Sequence, residues 1–292
     1  MSPFFPCLGN LCGAQPPRCP WYGQADALFL RRDRIDSVNV VPIRPATSNL
    51  PTFGFSTDYI DAPFRVGTKA VIGHTICDTR WQIDGTYFAI DSWDYKSAIQ
   101  DYIDQPVVYT DFFREYSQLQ NAELNLRYTV PMPHDCLTAK LILGLRYISI
   151  TEQFDYYTVA PSQTAISAIP PTTRTRNDLL GPQIGGDFYF YSCPQCWVYV
   201  GIKGAVCNNR AIQVGTMTDS ASSDATSFVG DLDVALVWQI TPHCTTTFGY
   251  QALWVNNIAM AARNMDPLGI DTIDTIGRAV YHGPHIGLEF GW

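Results

Sequence analysis

The order of its connectors restricts this chain more than any other feature. Compact breaks containing cysteine alternate with long polar stretches. The compact ones are Thr75–Thr79, Pro131–Cys136, Ser192–Cys196 and Thr241–Cys244. The long ones are rich in Thr, Ser, Asp and Pro and cover roughly 33–63, 91–115, 155–176, 212–225 and 257–277. Ten segments lie between them, near 20–32, 64–75, 80–90, 116–130, 137–153, 177–191, 197–210, 226–240, 245–256 and 278–292.

Those segments alternate with period two, the signature of strands with one apolar and one polar face. In Glu123–Tyr128 the split is Glu, Asn, Arg against Leu, Leu, Tyr. His285, Gly287 and Glu289 interleave with Ile286, Leu288 and Phe290, and Gly230–Trp238 behaves alike. No sustained helical stripe appears, and Gly and Pro interrupt most windows. Segments of roughly ten to sixteen residues exceed the five or six usual in soluble sheets. Long antiparallel strands joined by short turns at one end and large loops at the other are the pattern of a closed barrel in a membrane. A soluble sandwich is the competing arrangement, but its loops need not sort by length.

Composition removes other classes. Only 16% of the 292 residues are charged and 13% are aromatic, against about 25% charged in an ordinary domain, which excludes disorder and coiled coil. A net charge of -8 without a Lys/Arg cluster argues against a nucleic-acid partner. Apolar runs such as Leu141–Leu145 are too short for a membrane helix. The first residues have no basic stretch and no unbroken apolar core, so either the protein is not exported or its true start or a removed leader lies outside this sequence. The fold predicted is all-β: a single antiparallel up-and-down transmembrane barrel of about ten strands, eight to twelve allowed. Residues 1–19 form a Cys/Pro-rich tail and 20–292 the outer-membrane barrel domain. Within 33–63, Ser37–Val41 and Phe53–Phe55 could add a hairpin.

Projecting the alternation turns Lys69, Asp84, Glu123, Asn125, Arg127, Arg146, Gln183, Asp187, Lys203, Asp231, Asp233, Gln251, His285 and Glu289 toward the lumen. Both signs occur there, so the expectation is a paired network filling a narrow interior, with an open channel as the alternative. Trp21, Trp81, Trp197, Trp238 and Trp292 fall at the short-turn end, where an aromatic membrane girdle belongs. Nine cysteines point to an oxidising compartment. Cys77, Cys136, Cys193, Cys196 and Cys244 in the turns are disulfide candidates, as are Cys7, Cys12 and Cys19. Cys207, within a strand, is the natural unpaired one. Cys193-x-x-Cys196, with His134 and His243 nearby in other turns, is also half of a zinc site, but no matching second half follows. No nucleophile elbow supports a hydrolase, and Asp231 with Asp233 share a face merely because the strand alternates.

Gly181–Phe188 echoes Gly283–Phe290, both keeping their polar groups in phase. The chain stops on an alternating strand ending in Trp292, which resembles the C-terminal signal of bacterial outer-membrane barrels. The ensemble of Trp21–Leu30, Arg65–Gly67 running to Gly85–Phe88, Glu123–Arg127, Leu143–Tyr147, Gly181–Phe188, Gly201–Gly204 with Asn208–Ala211, and Gly283–Trp292 resembles the planctomycete outer-membrane family BBP7 (beta barrel porin-7). That resemblance spans nearly the whole chain from Trp21 and implies a barrel, from which a transport role is inferred. The function expected is passive: a porin-like channel or structural surface barrel, with no catalytic residue, cofactor or metal. Its partners would be membrane lipid, the outer-membrane assembly machinery and small solutes or ions. The alternatives are a secreted soluble β-sandwich binding module and an outer-membrane hydrolase.

Overall fold

The structure, a computed structural model, describes residues 21–34, 39–40, 55–56, 63–101, 109–133, 136–159, 172–193, 195–215, 220–265 and 272–292. Its strands are β1 (Trp21–Arg34), β2 (Asn39–Val40), β3 (Phe55–Ser56), β4 (Arg65–Thr75), β5 (Trp81–Asp101), β6 (Tyr109–Val130), β7 (Leu137–Val159), β8 (Thr172–Cys193), β9 (Cys196–Gly215), β10 (Ala221–Thr241), β11 (Cys244–Ile258) and β12 (Gly277–Gly291). Ten of them, β1 and β4 to β12, close into one barrel of antiparallel neighbours. β1 seals it by pairing with both β4 and β12. The closed wall overturns the β-sandwich alternative. β2 and β3 pair with each other outside the barrel, Asn39 opposite Ser56 and Val40 opposite Phe55. These two short strands lie in the two segments from which an extra hairpin was anticipated within 33–63. The 1–19 tail lies outside the described residues.

The ten segments are where the alternation places them, but most are longer. Barrel strands run from 11 residues in β4 to 23 in β7, so much of the supposed loops at 91–115, 155–176 and 212–225 is strand. The reason is visible on β7. Leu141, Leu143 and Leu145 face outward and are more than half exposed. Beyond Tyr147 the pattern inverts: Ile148 and Ile150 are fully buried inside, while Ser149 and Thr151 face out. β6 does the same, with Leu124 outward below and Leu119 buried between outward Gln118 and Gln120 above. An outer apolar band of about ten residues per strand is what a bilayer requires. Above it the sheet continues with a polar outer wall, which reads as loop in a hydropathy pattern. There Arg114 and Asp94 pair at 2.9 Å, and the hydrogen bond from Arg114 holds the Asp94 carboxyl below its ordinary pKa.

The barrel accommodates its irregular residues at local gaps. Register shifts between Ile90 and Trp93, and this bulge leaves both side chains buried inside. Gly181–Pro182 has no ladder partner on β9, and Gly283–Pro284 has none on β1. Proline has no N–H to give at either place, so the internal echo repeats an interruption as well as a pattern.

Leu126 faces outward on β6, opposite Ile83 of β5 and Leu143 of β7. Leu126→Arg is expected to cost about 2–4 kcal/mol, the value for a cation on the lipid face near the midplane. Denaturant titration in lipid vesicles measures it, and a neutral result would place that column away from lipid.

Candidate functional site

The lumen is the site that this fold offers, and it is filled in layers. Nearest the short turns lies a charged layer. Arg146, fully buried on β7, donates to Glu123 of β6 at 2.6 Å and reaches across to Asp231 of β10 at 2.7 Å. Lys203 of β9 donates to Glu123 at 2.8 Å and lies 3.4 Å from Asp231. Arg127 bridges Asp84 and Asp187 in tight hydrogen bonds. Lys69 donates to Asp233 at 3.2 Å and lies 3.8 Å from Asp26, while His285 meets Asp233 at 2.9 Å. Amides complete the network: Gln183 donates to Glu123, Asn125 to Asp84 and Gln251 to Asp231.

All fourteen residues projected inward therefore lie on the lumen wall, ten of them in one hydrogen-bonded network and Lys69, Asp233 and His285 in a second beside it. Glu289 is the exception. It lines the mouth near the short turns and has no ion pair or side-chain hydrogen bond among the described residues. Inward glycines make the room. At Gly287 a Cβ would sit 1.6 Å from the Asp26 carboxylate, and at Gly249 it would sit 2.4 Å from His285 Nε2.

Several members escape a reading of the sequence. Asp26 and Lys140 face inward in the same phase as their predicted neighbours. Lys140 donates to Gln82 at 2.8 Å and its ammonium sits over the Tyr189 ring. With them the layer holds seven carboxylates, Asp26, Asp84, Glu123, Asp187, Asp231, Asp233 and Glu289. Against these stand five cations, Lys69, Arg127, Lys140, Arg146 and Lys203.

Above this layer the lumen is apolar, contrary to the expectation of a hydrophilic interior throughout. Leu28, Leu30, Phe88, Ile90, Trp93, Leu119, Ile148, Ile150, Leu179, Val229, Leu253, Val255 and Tyr281 form one buried cluster. The loop after β11 closes the barrel over it. Ala259 exchanges two hydrogen bonds with Asn177, and the carbonyl of Asn257 accepts from Asn209 and Ser227. Gln213 holds the carbonyl of Asn264, and the Ala261 N–H donates to Glu152 at 3.0 Å. Glu152 and Glu115 share the buried Arg32. Residues 257–264, anticipated as part of an outer loop, are thus an internal plug. Glu115, anticipated as loop, is part of its anchor.

Of the five tryptophans assigned to a girdle, Trp21, Trp81, Trp238 and Trp292 are 41–59% exposed on the outer wall at the short-turn end. Trp21 packs on His74 and Trp81 on Tyr128. Trp197 is a correction: it is 8% exposed and turned inward, because its place on β9 has the phase of Tyr199 rather than that of Val198. Four of the five turn cysteines are a second correction. Cys77 is disulfide-bonded, whereas Cys136, Cys193, Cys196 and Cys244 are free thiols, as is buried Cys207. Cys193 and Cys196 face each other across the hairpin. Their mutual hydrogen bond lowers the pKa of Cys193 and raises that of Cys196. Among the described residues no cluster suited to a metal ion occurs. His134, Cys7, Cys12 and Cys19 lie outside them.

A closed ten-strand wall, apolar outside over one bilayer-sized band and plugged within, defines an outer-membrane-type β-barrel. A likeness in fold to a solved structure agrees with that class. The chain is similar to the outer membrane protease OmpT of Escherichia coli, with a TM-score of 0.63 at 12% identity over 94% of this chain and 97% of that one. A looser likeness, with a TM-score of 0.27 at 11% identity over 92% and 96% of the two chains, links it to the Neisserial surface protein A. No family model matches the chain, and no curated protein matches it in sequence. At such identities the likeness describes the fold.

Proposed function

We propose that this protein resides in an outer membrane as a passive, closed surface barrel, with no reaction or cofactor of its own. One observation carries the reading: the apolar layer from Leu28 to Tyr281 is continuous across the lumen and is capped by residues 257–264. Ions do not cross such a layer, since an unpaired charge in an apolar interior is prohibitively costly. Of the two forms expected from the sequence, channel and scaffold, the sealed lumen favours the scaffold. Lipid contacts the outer band, the assembly machinery inserts the barrel, and the wall above the band is the part open to the cell's surroundings. The resemblance to BBP7 belongs to this same reading.

Planar-bilayer recording of the refolded protein tests it. Silence is expected from preparations that keep their β-sheet content and heat-modifiable gel migration. Discrete single-channel steps would replace the scaffold with a porin-like channel. A protein that stays folded without detergent would remove the membrane placement altogether.

A further inference from the structure

We infer that the short-turn mouth of the lumen is a binding site for a small organic cation, an alkylammonium of a few heavy atoms. The mouth opens into a cavity of about 120 Å³ beneath the apolar layer. That is comparable to the engineered cavity of ~150 Å³ that takes up benzene. Being sealed above, it is a blind chamber rather than a passage. The inference rests on the barrel's interior and not on where the barrel resides.

Unsatisfied polar atoms in its wall indicate what the chamber takes. Thr245 Oγ1, Thr247 Oγ1, Gln251 Oε1 and His285 Nδ1 are buried without a hydrogen-bond partner among the described residues, on side chains at most 6% exposed. All four residues line the same cavity. Buried polar atoms left unpaired cost about 1–3 kcal/mol each, so such a cluster is matched to something that pairs with it. Each can accept. The amide oxygen accepts only, and the hydroxyls accept as readily as they donate. His285 already spends Nε2 on Asp233, so Nδ1 is its one nitrogen left to a ligand. Gln251 Oε1, which cannot donate, calls for a donor, and the two hydroxyls can accept from the same group.

Charge gives the donor its sign. The layer carries two more carboxylates than cations, and Glu289, at the mouth, is the one of the seven with no ion pair or side-chain hydrogen bond among the described residues. Of the cations facing the chamber, Lys69 pairs with Asp233, Lys203 with Glu123 and Arg127 with Asp84 and Asp187, while Lys140 donates to Gln82 and sits over the Tyr189 ring. An anion would enter a layer whose carboxylates already outnumber its cations. Tyr22 and Tyr199 add aromatic surface to the same wall, which favours an ammonium further. The absence of a metal-type cluster among the described residues sets an organic cation ahead of a divalent ion.

Isothermal titration of the detergent-solubilised barrel, at mildly alkaline pH, tests this with ethylammonium chloride as the probe. Acetate and ethanol serve as the anionic and neutral counterparts. Saturable heats are expected from ethylammonium and none from the other two. Glu289→Gln should weaken binding about tenfold or more, as loss of a charged hydrogen-bond partner does. Gln251→Leu, which leaves every charge at the mouth in place, should weaken it without abolishing it. Heat-modifiable migration verifies that each variant is folded. If Glu289→Gln fails to fold, the three-probe series on the unaltered protein together with Gln251→Leu decides. Unsaturable ethylammonium heats, equal binding of acetate, or undiminished binding by folded Glu289→Gln would each overturn the assignment. Channel activity plays no part in these outcomes, so the scaffold reading stands or falls separately.

Discussion

Arg146→Ala is expected to destabilise the barrel by about 3–5 kcal/mol, the range for breaking a buried ion pair from one side. Arg146 is fully buried and holds Glu123 and Asp231 from opposite sides of the lumen. Without it the two carboxylates share Lys203 alone, and water reaches them poorly beneath an apolar layer. The cost arises from the stranded charges rather than from lost attraction. Replacing the whole group, Arg146→Leu and Lys203→Met with Glu123→Gln and Asp231→Asn, should therefore recover most of the loss. Reversible urea unfolding in lipid vesicles, followed by tryptophan emission, measures both proteins. A cost below ~1 kcal/mol for the single change would mean that the charges are solvated, and the lumen would have to be wetter than its geometry implies.

The charged layer was legible because it lies at the depth of the bilayer, where the outer face is uniformly apolar. There alternation assigns every side chain, and Glu123, Arg127, Asp187 and Asp231 follow from period two alone. Asp26 and Lys140 carried the same signal, in phase with Leu28 and Arg146 respectively, and simply escaped the projection. Above the lipid boundary the rule changes. Water outside and protein inside restore the polarity of a soluble domain, so Ile148 and Ile150 point inward on the same β7 whose Leu143 and Leu145 point outward. A pattern read with one fixed polarity ends where the inversion begins, and the remaining strand looks like loop. That is why Glu115 and Arg32, which meet only in the closed barrel, left no local trace. The plug is harder still. Ala259–Ala262 is a short run of small apolar residues after a strand, and only side chains from β7, β8, β9 and β10 make it interior.

The apolar layer itself yields the last expectation. Trp93→Ala should cost about 3–5 kcal/mol, as large-to-small changes at fully buried aromatic positions do. Trp93 is completely buried, packs against Tyr281 with ring centroids 5.3 Å apart, and donates its indole N–H to the Leu30 carbonyl at 3.3 Å. Truncation leaves a void walled by Leu30, Ile90 and Leu119, and that carbonyl loses a donor. An apolar void of such a size stays dry, so the variant should lose stability without gaining conductance. The combination separates two roles for the layer. If it serves as the core of the extramembrane half of the barrel, urea midpoints fall while bilayer recordings stay silent. If it serves as a gate held shut by one aromatic wedge, removing Trp93 opens discrete current steps, and the sealed-scaffold reading fails at the position where it is most exposed to test.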